Sequence, residues 1–299
     1  MYDRRLFLKT SMQLGALAAL TPSLLNASPL KRQFYKISVS EYSFQKSLKK
    51  GLFTHLDFPE NTSKLEIDAV DFGSVFFNGK QNDAEYLKTL VKKCADFSIK
   101  PQTLIVEQGD LFVSSATERI KNLDSYKKWL DVAQVLGCKA ISISDTSKGN
   151  LATANKNKVE SLTTLCDYAA PLGLNILIRN ANANAAAMSD LMLATKKVNM
   201  GTMPEFAKTS PKADVKSDPV KNMETVSRFA KIFTAKSYDF DSEGNETTID
   251  YFLMLGMVNT ALFKDYISIH YDGKKLSEAE GIKATQALLL KSCEKIVEH

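Results

Sequence analysis

Ala140-Ile141-Ser142-Ile143-Ser144 is followed by a helical stretch from Lys156 to Pro171, a stop at Gly173, and then Leu174-Asn175-Ile176-Leu177-Ile178. Two short β-branched runs separated by one long helix predict a pair of parallel strands joined by a crossover. The same alternation extends in both directions. Upstream, strands are expected at Ile37–Ser40, Ala69–Gly73 and Gln102–Glu107, with helices over Gln45–Leu56, Asp83–Phe97 and Ser125–Leu136. In the second of these helices Leu87, Leu90, Val91 and Cys94 recur on one face, and Gly137 caps the third. Downstream, strands are expected at Gly201–Pro204, Ile232–Ser237 and Tyr266–His270. Helices there cover Ala185–Lys197, Lys221–Phe229, Thr248–Asn259 and Ser277–Glu298.

Eight such units in one chain of 299 residues, with 44% hydrophobic and 24% charged residues and no Pro/Gly linker, predict an α/β fold: a single (β/α)8 barrel. No G-x-G-x-x-G follows a strand and no Walker sequence appears, which counts against an open nucleotide-binding sheet. Function is then expected at the carboxyl ends of the strands.

The first residues read as an address. Arg4-Arg5-Leu6-Phe7-Leu8-Lys9, an apolar run from Leu14 to Leu25 and then Asn26-Ala27-Ser28 have the layout of a signal peptide, too short to span a bilayer. The paired arginines resemble the twin-arginine export signal. The expected division is therefore residues 1–27 as signal and 28–299 as barrel, with cleavage near Ala27, a periplasmic or otherwise exported destination, and no stable membrane anchor after processing. A protein exported folded need not pair Cys94, Cys138, Cys166 and Cys293, which have no CxxC or zinc spacing, and four free thiols are expected. The formal charge of +5 includes +2 from Asp3, Arg4, Arg5 and Lys9. The remaining +3 is scattered, which gives no footprint for nucleic acid, and three His exclude a multi-zinc nuclease centre.

Several segments, in barrel order, carry a resemblance: His55-Leu56-Asp57-Phe58-Pro59, Lys127-Lys128-Trp129-Leu130, Ala170-Pro171-Leu172-Gly173-Leu174, Ala235-Lys236-Ser237-Tyr238-Asp239-Phe240-Asp241, Gly244-Asn245-Glu246-Thr247-Thr248-Ile249-Asp250-Tyr251, and Glu280-Gly281-Ile282-Lys283-Ala284-Thr285. Together they resemble the xylose isomerase-like barrels of the sugar isomerase/epimerase superfamily, in particular an exported branch. The resemblance implies proton transfer beside a sugar carbonyl, assisted by a divalent metal held by Glu, Asp, His and Glu at the ends of strands five to eight.

Residue by residue the chain departs from that pattern. Arg179 stands where the first ligand is expected, Ala181 where a neighbouring His is expected, Glu205 replaces Asp, Lys236 matches the branch, and His270 replaces Glu. Arg179, Glu205, Lys236 and a neutral His270 sum to +1, a set that repels a dication. The expectation is no catalytic metal; the alternative is Mn, Mg, Co or Zn on relocated ligands, with Glu41, Asp71, Glu107 and Asp145 as spare carboxylates.

Three readings follow. In the first, a carbohydrate- or sugar-acid-binding pseudoenzyme uses Arg179, Asn180, Tyr42, Tyr238, Asp239 and Tyr271 as ligand contacts, with Phe44 nearby. In the second, a metal-free isomerase or epimerase uses Glu205 as base, Lys236 and Arg179 as fixed cations, and His270 as proton shuttle. The third is a metal-dependent isomerase or epimerase. Plainer roles stand beside these. Arg179 can simply pair with Glu205, His55 is read as structural and Trp129 as core. The residues from Asn180 to Asn184 can cap a helix, and Lys208–Lys221 is read as an exposed loop. The oligomeric state is left open.

Overall fold

The computed structural model describes residues 33–111, 113, 115–144, 156–179, 184–209 and 218–297. The signal segment, Asp145, Asn180, Ala181 and most of the Lys208–Lys221 loop lie outside them.

Eight parallel strands form the sheet: β1 Lys36–Ser40, β2 Ala69–Gly73, β3 Lys100–Ile105, β4 Ala140–Ser144, β5 Asn175–Arg179, β6 Met200–Met203, β7 Phe233–Ser237 and β8 Tyr266–Tyr271. They pair in the order β6-β5-β4-β3-β2-β1-β8-β7. Backbone hydrogen bonds close the remaining gap between β6 and β7: Thr234 N–H donates to Pro204 O and Phe206 N–H to Thr234 O, both at 2.8 Å. Closure leaves no edge of the kind that would recruit another strand.

The helices are α1 Gln45–Lys49, α2 Phe58–Ser63, α3 Ala84–Asp96, α4 Ala116–Leu136, α5 Lys156–Ala169, α6 Ala185–Thr195, α7 Pro219–Ser227, α8 Tyr251–Thr260 and α9 Glu278–Val297. The single helix expected over Gln45–Leu56 is instead broken. Gly51 takes a positive φ of 66°, and Thr54 then starts a new turn, its backbone N–H donating to Asp57 Oδ2 at 3.0 Å. The helix expected from Ser125 begins earlier, at Ala116, because Ser115 caps it by accepting the N–H of Glu118.

Strand alternation sorts the side chains. Val39, Val70, Phe72, Ile141, Ile143, Ile176, Ile178, Phe233, Ile267 and Ile269 are fully buried in the layer between sheet and helices. The alternate positions fill the barrel itself, and they divide it. Ala140, Leu177, Met203 and Ile232 form an apolar cluster on one side, while Ser38, Ser40, Asp71, Thr103 and Ser268 line the other and are also buried. This polar half lies under the mouth. All four cysteines are buried and none forms a disulfide.

Candidate functional site

The carboxyl ends of the strands open onto a cavity of about 250 Å3. β1 and the turn after it contribute Ser40 and Tyr42, the segment after β3 Glu107, and β5 Arg179; Glu205 follows β6, and Lys236 and His270 come from β7 and β8. Parallel register explains the convergence: Lys236 pairs with His270 across β7 and β8, and each strand ends at the same rim. A larger groove of about 460 Å3 lies elsewhere, between the β7–α8 loop and α9. Its Lys291 is already bonded to Glu243 O and Asn245 Oδ1, both at 3.1 Å.

Arg179 Nη2 donates to Glu107 Oε1 at 2.7 Å, and the arginine side chain is 14% exposed. Lys236 Nζ stands 3.7 Å from Asp272 Oδ2. The His270 pKa falls from 6.5 to about 3; loss of water contact in the mouth is the largest cause, followed by the charges of Lys236 and Arg179. His270 is therefore an uncharged imidazole at neutral pH. The Tyr42 ring lies 6.0 Å from the His270 ring. Burial raises the pKa of its hydroxyl, and the Glu107 charge adds to the effect.

The cavity wall carries unmet hydrogen-bonding capacity. Ser40 Oγ, Tyr42 Oη, Arg179 Nε and Ser268 Oγ are buried, line this cavity and have no hydrogen-bond partner among the described residues. Glu107 and Glu205 balance Arg179 and Lys236 in charge, with His270 neutral, so the lining sums to zero and not to the +1 expected before Glu107 was counted.

A family model described as xylose isomerase-like TIM barrel matches residues 59–292. The chain belongs to that family. Among solved structures of this barrel fold, 3-keto-D-glucoside 4-epimerase from E. coli has a TM-score of 0.64 at 13% identity, covering 85% of this chain and 98% of its own. D-psicose 3-epimerase from Clostridium cellulolyticum H10, determined with D-tagatose, gives 0.61 at 11%, covering 88% and 97%. A xylose isomerase-like TIM barrel protein from Mycobacterium smegmatis in complex with magnesium gives 0.63 at 12%, covering 88% and 97%. No curated protein matches the sequence.

Of the residues expected at the site, this xylose isomerase-like barrel brings Tyr42, Arg179, Glu205, Lys236 and His270 to one cavity. It does not bring Asp239 or Tyr271 there. Asp239 Oδ1 accepts the N–H groups of Lys274 and Lys275, each at 3.1 Å, which lower its pKa. Tyr271 is buried, and its hydroxyl bonds to Leu276 O at 3.2 Å. Both brace the turn after β8. Phe44 is also buried, against the rings of Phe53 and Phe58. Tyr238 stands just outside the lining, with Lys208 Nζ 4.7 Å and Lys236 Nζ 5.7 Å from its ring centre.

Arg179 pairs with Glu107, and Glu205 has interactions of its own. Of the spare carboxylates, Glu41 is bonded to His55 and Asp71 to Ser38, both buried away from the lining. Among the described ones, Glu107 reaches the cavity, and Asp145 lies outside the described residues. The floor hydroxyls Ser40, Thr234 and Ser268 were not anticipated; their signal was a hydroxyl residue at alternate strand positions, where a buried parallel strand usually carries an aliphatic one.

Proposed function

We propose that the cavity binds a carbohydrate of about monosaccharide size, that it does so without a divalent cation, and that the chain is a binding member of its sugar isomerase/epimerase superfamily. The single observation behind this is the set of four unpartnered buried polar atoms on one small cavity. Each orphaned group costs about 1–3 kcal/mol until something bonds to it. A ligand rich in hydroxyls, each donor and acceptor at once, suits two hydroxyls, a phenol and a guanidinium N–H. The balanced lining favours a neutral sugar, so the sugar-acid preference expected from Arg179 and Lys236 alone is not carried forward.

The donor set does not suit a dication. Glu205, His270 and Glu107 are the groups on the cavity able to ligate one, and Arg179 is bonded to Glu107 while Lys236 stands beside His270. Two fixed cations among three donors oppose a +2 ion. Among the described residues, no three His, Cys, Asp or Glu side chains gather as a metal site.

Calorimetry tests the reading directly. Neutral pentoses and hexoses should bind equally well with and without EDTA, and Arg179→Met should abolish the heat. Absence of binding across such a panel, or binding only after Mn2+ is added, would defeat it. A second reading is favoured by Glu205 and the uncharged His270 sharing one cavity with Lys236: metal-free proton transfer beside a sugar carbonyl. It requires EDTA-resistant exchange of a sugar C–H proton with solvent deuterium that Glu205→Gln and Lys236→Met both stop.

The amino-terminal pattern extends the proposal to an exported protein. Residues 1–35 fused to a reporter should direct it across the inner membrane by the twin-arginine route, and conversion of Arg4 and Arg5 to Lys should stop that export. Among the described residues no helix is long and apolar enough to cross a membrane.

A further inference from the structure

Glu41 and His55 are buried together beside the cavity, and nothing so far uses them. His55 Nδ1 lies 2.6 Å from Glu41 Oε1, and Gly73 N–H donates to Glu41 Oε2 at 2.9 Å. The imidazole is enclosed by the rings of Phe72, Phe77 and Tyr86, with centres 5.5, 4.5 and 6.0 Å away. One carboxylate therefore joins the end of β1, the end of β2 and the turn at His55.

What stands in front of this pair is Tyr42. Glu41 sits between Ser40 and Tyr42, both of which line the cavity. The Tyr42 ring packs on Gly73, where an added Cβ would come within 2.8 Å of its Cε2, and it lies edge-on to Phe76 at 5.2 Å. The residue that Glu41 bonds through its backbone is thus the one against which Tyr42 rests. A buried carboxylate deprived of a partner is strongly destabilised, so losing His55 forces Glu41 to move or to take up a proton.

We infer that Glu41 and His55 are positioning residues for Tyr42: the buried pair fixes where the Tyr42 hydroxyl stands on the cavity wall, and through it the affinity for ligand. The affinity clause rests on the carbohydrate reading; the placement of Tyr42 does not.

The test uses the full chain labelled with 3-fluorotyrosine, the Tyr42 resonance being assigned by its loss in Tyr42→Phe. His55→Leu should shift or broaden that resonance and weaken the sugar found by calorimetry about tenfold. His55→Asn, whose side-chain amide can donate to or accept from Glu41 in place of Nδ1, should return both toward the wild-type values. Where His55→Leu fails to fold, Glu41→Gln takes its place, with a smaller displacement of the same resonance expected. An unmoved Tyr42 resonance in a folded variant, or Asn failing to restore what Leu removed, overturns the inference. A displaced resonance in a protein that binds no sugar leaves the positioning role standing and removes the carbohydrate reading alone.

Discussion

Arg179 on β5 and Glu107 beyond β3 meet at 2.7 Å across the carboxyl end of β4. The glutamate is 44% exposed, so the pair is worth about 1 kcal/mol or less after solvent screening. Its effect on the charge of the cavity is larger. Glu107→Gln should lower the unfolding free energy by no more than about 1 kcal/mol while turning a neutral lining into a cationic one. Glucuronate should then gain affinity relative to glucose, and the gain should vanish in the double variant with Lys236→Met, whose lining is neutral again. Unchanged relative affinities in Glu107→Gln would mean that the pair does not set the charge the ligand meets.

His270 supplies a pH signature. An imidazole whose pKa drops from 6.5 to about 3 on folding binds fewer protons in the native than in the unfolded chain between those values. Stability must therefore fall as pH is lowered from about 6.5 toward 3, by up to about 1.4 kcal/mol per pH unit from this group. His270→Asn should flatten that part of the profile relative to wild type in urea titrations at several pH values. Equal slopes for the two proteins would show that the imidazole is not held neutral.

Much of this architecture was legible in the sequence because the strands are chemically distinct on their two faces. Ser38-Val39-Ser40 and Ile141-Ser142-Ile143 announce strands by their β-branched residues, and the bounds Ala69–Gly73 and Ala140–Ser144 match those observed. Helix edges were less legible. The first turns of α4 are polar and half-solvated, so no hydrophobic period marks them, and Gly51 breaks a helix through a single backbone angle. The site was read where it depends on strand ends, at Arg179, Glu205, Lys236 and His270. It was misread where it depends on pairing across the barrel. Nothing local to Glu107 says that it will meet Arg179, whereas Tyr271 could have been placed by alternation, since it shares the helix-facing side of β8 with Ile267 and Ile269. Its ring is pressed against Gly281 on α9, away from the mouth.

Asp71 should hold its proton to higher pH than a solvated carboxyl does. It is fully buried within the polar half of the barrel and accepts from Ser38 Oγ at 2.6 Å; burial raises its pKa above 3.8, only partly offset by the Ser38 hydroxyl. A raised carboxyl pKa means that the native state binds the extra proton, so wild-type stability is lost as pH rises from about 4 through the folded value. Asp71→Asn keeps an acceptor for Ser38 without the titration. Its stability relative to wild type should improve with rising pH across that window. Asp71→Ala, which leaves the Ser38 hydroxyl unpartnered, should cost about 1–3 kcal/mol below about pH 4. An Asn variant as damaged as the Ala variant would show instead that the ionised carboxylate is required.

Arg179 is also where one change should create a metal site. Arg179→Glu removes a guanidinium and places a carboxylate at the end of β5, on a cavity that already has Glu107 and Glu205 and the neutral imidazole of His270. The charge of the lining moves from zero to −2, even with Lys236 still present. Oxygen donors and one imidazole suit Mn2+ or Co2+ better than softer ions. Calorimetry should find no Mn2+ heat for the wild type and stoichiometric binding for Arg179→Glu, strengthened further when Lys236→Met is added. The variant should also gain thermal stability on adding Mn2+, because the ion binds only the folded chain. If the wild type takes up Mn2+ as tightly as Arg179→Glu does, the guanidinium does not exclude the ion, and the proposal of a cation-free pocket fails with it.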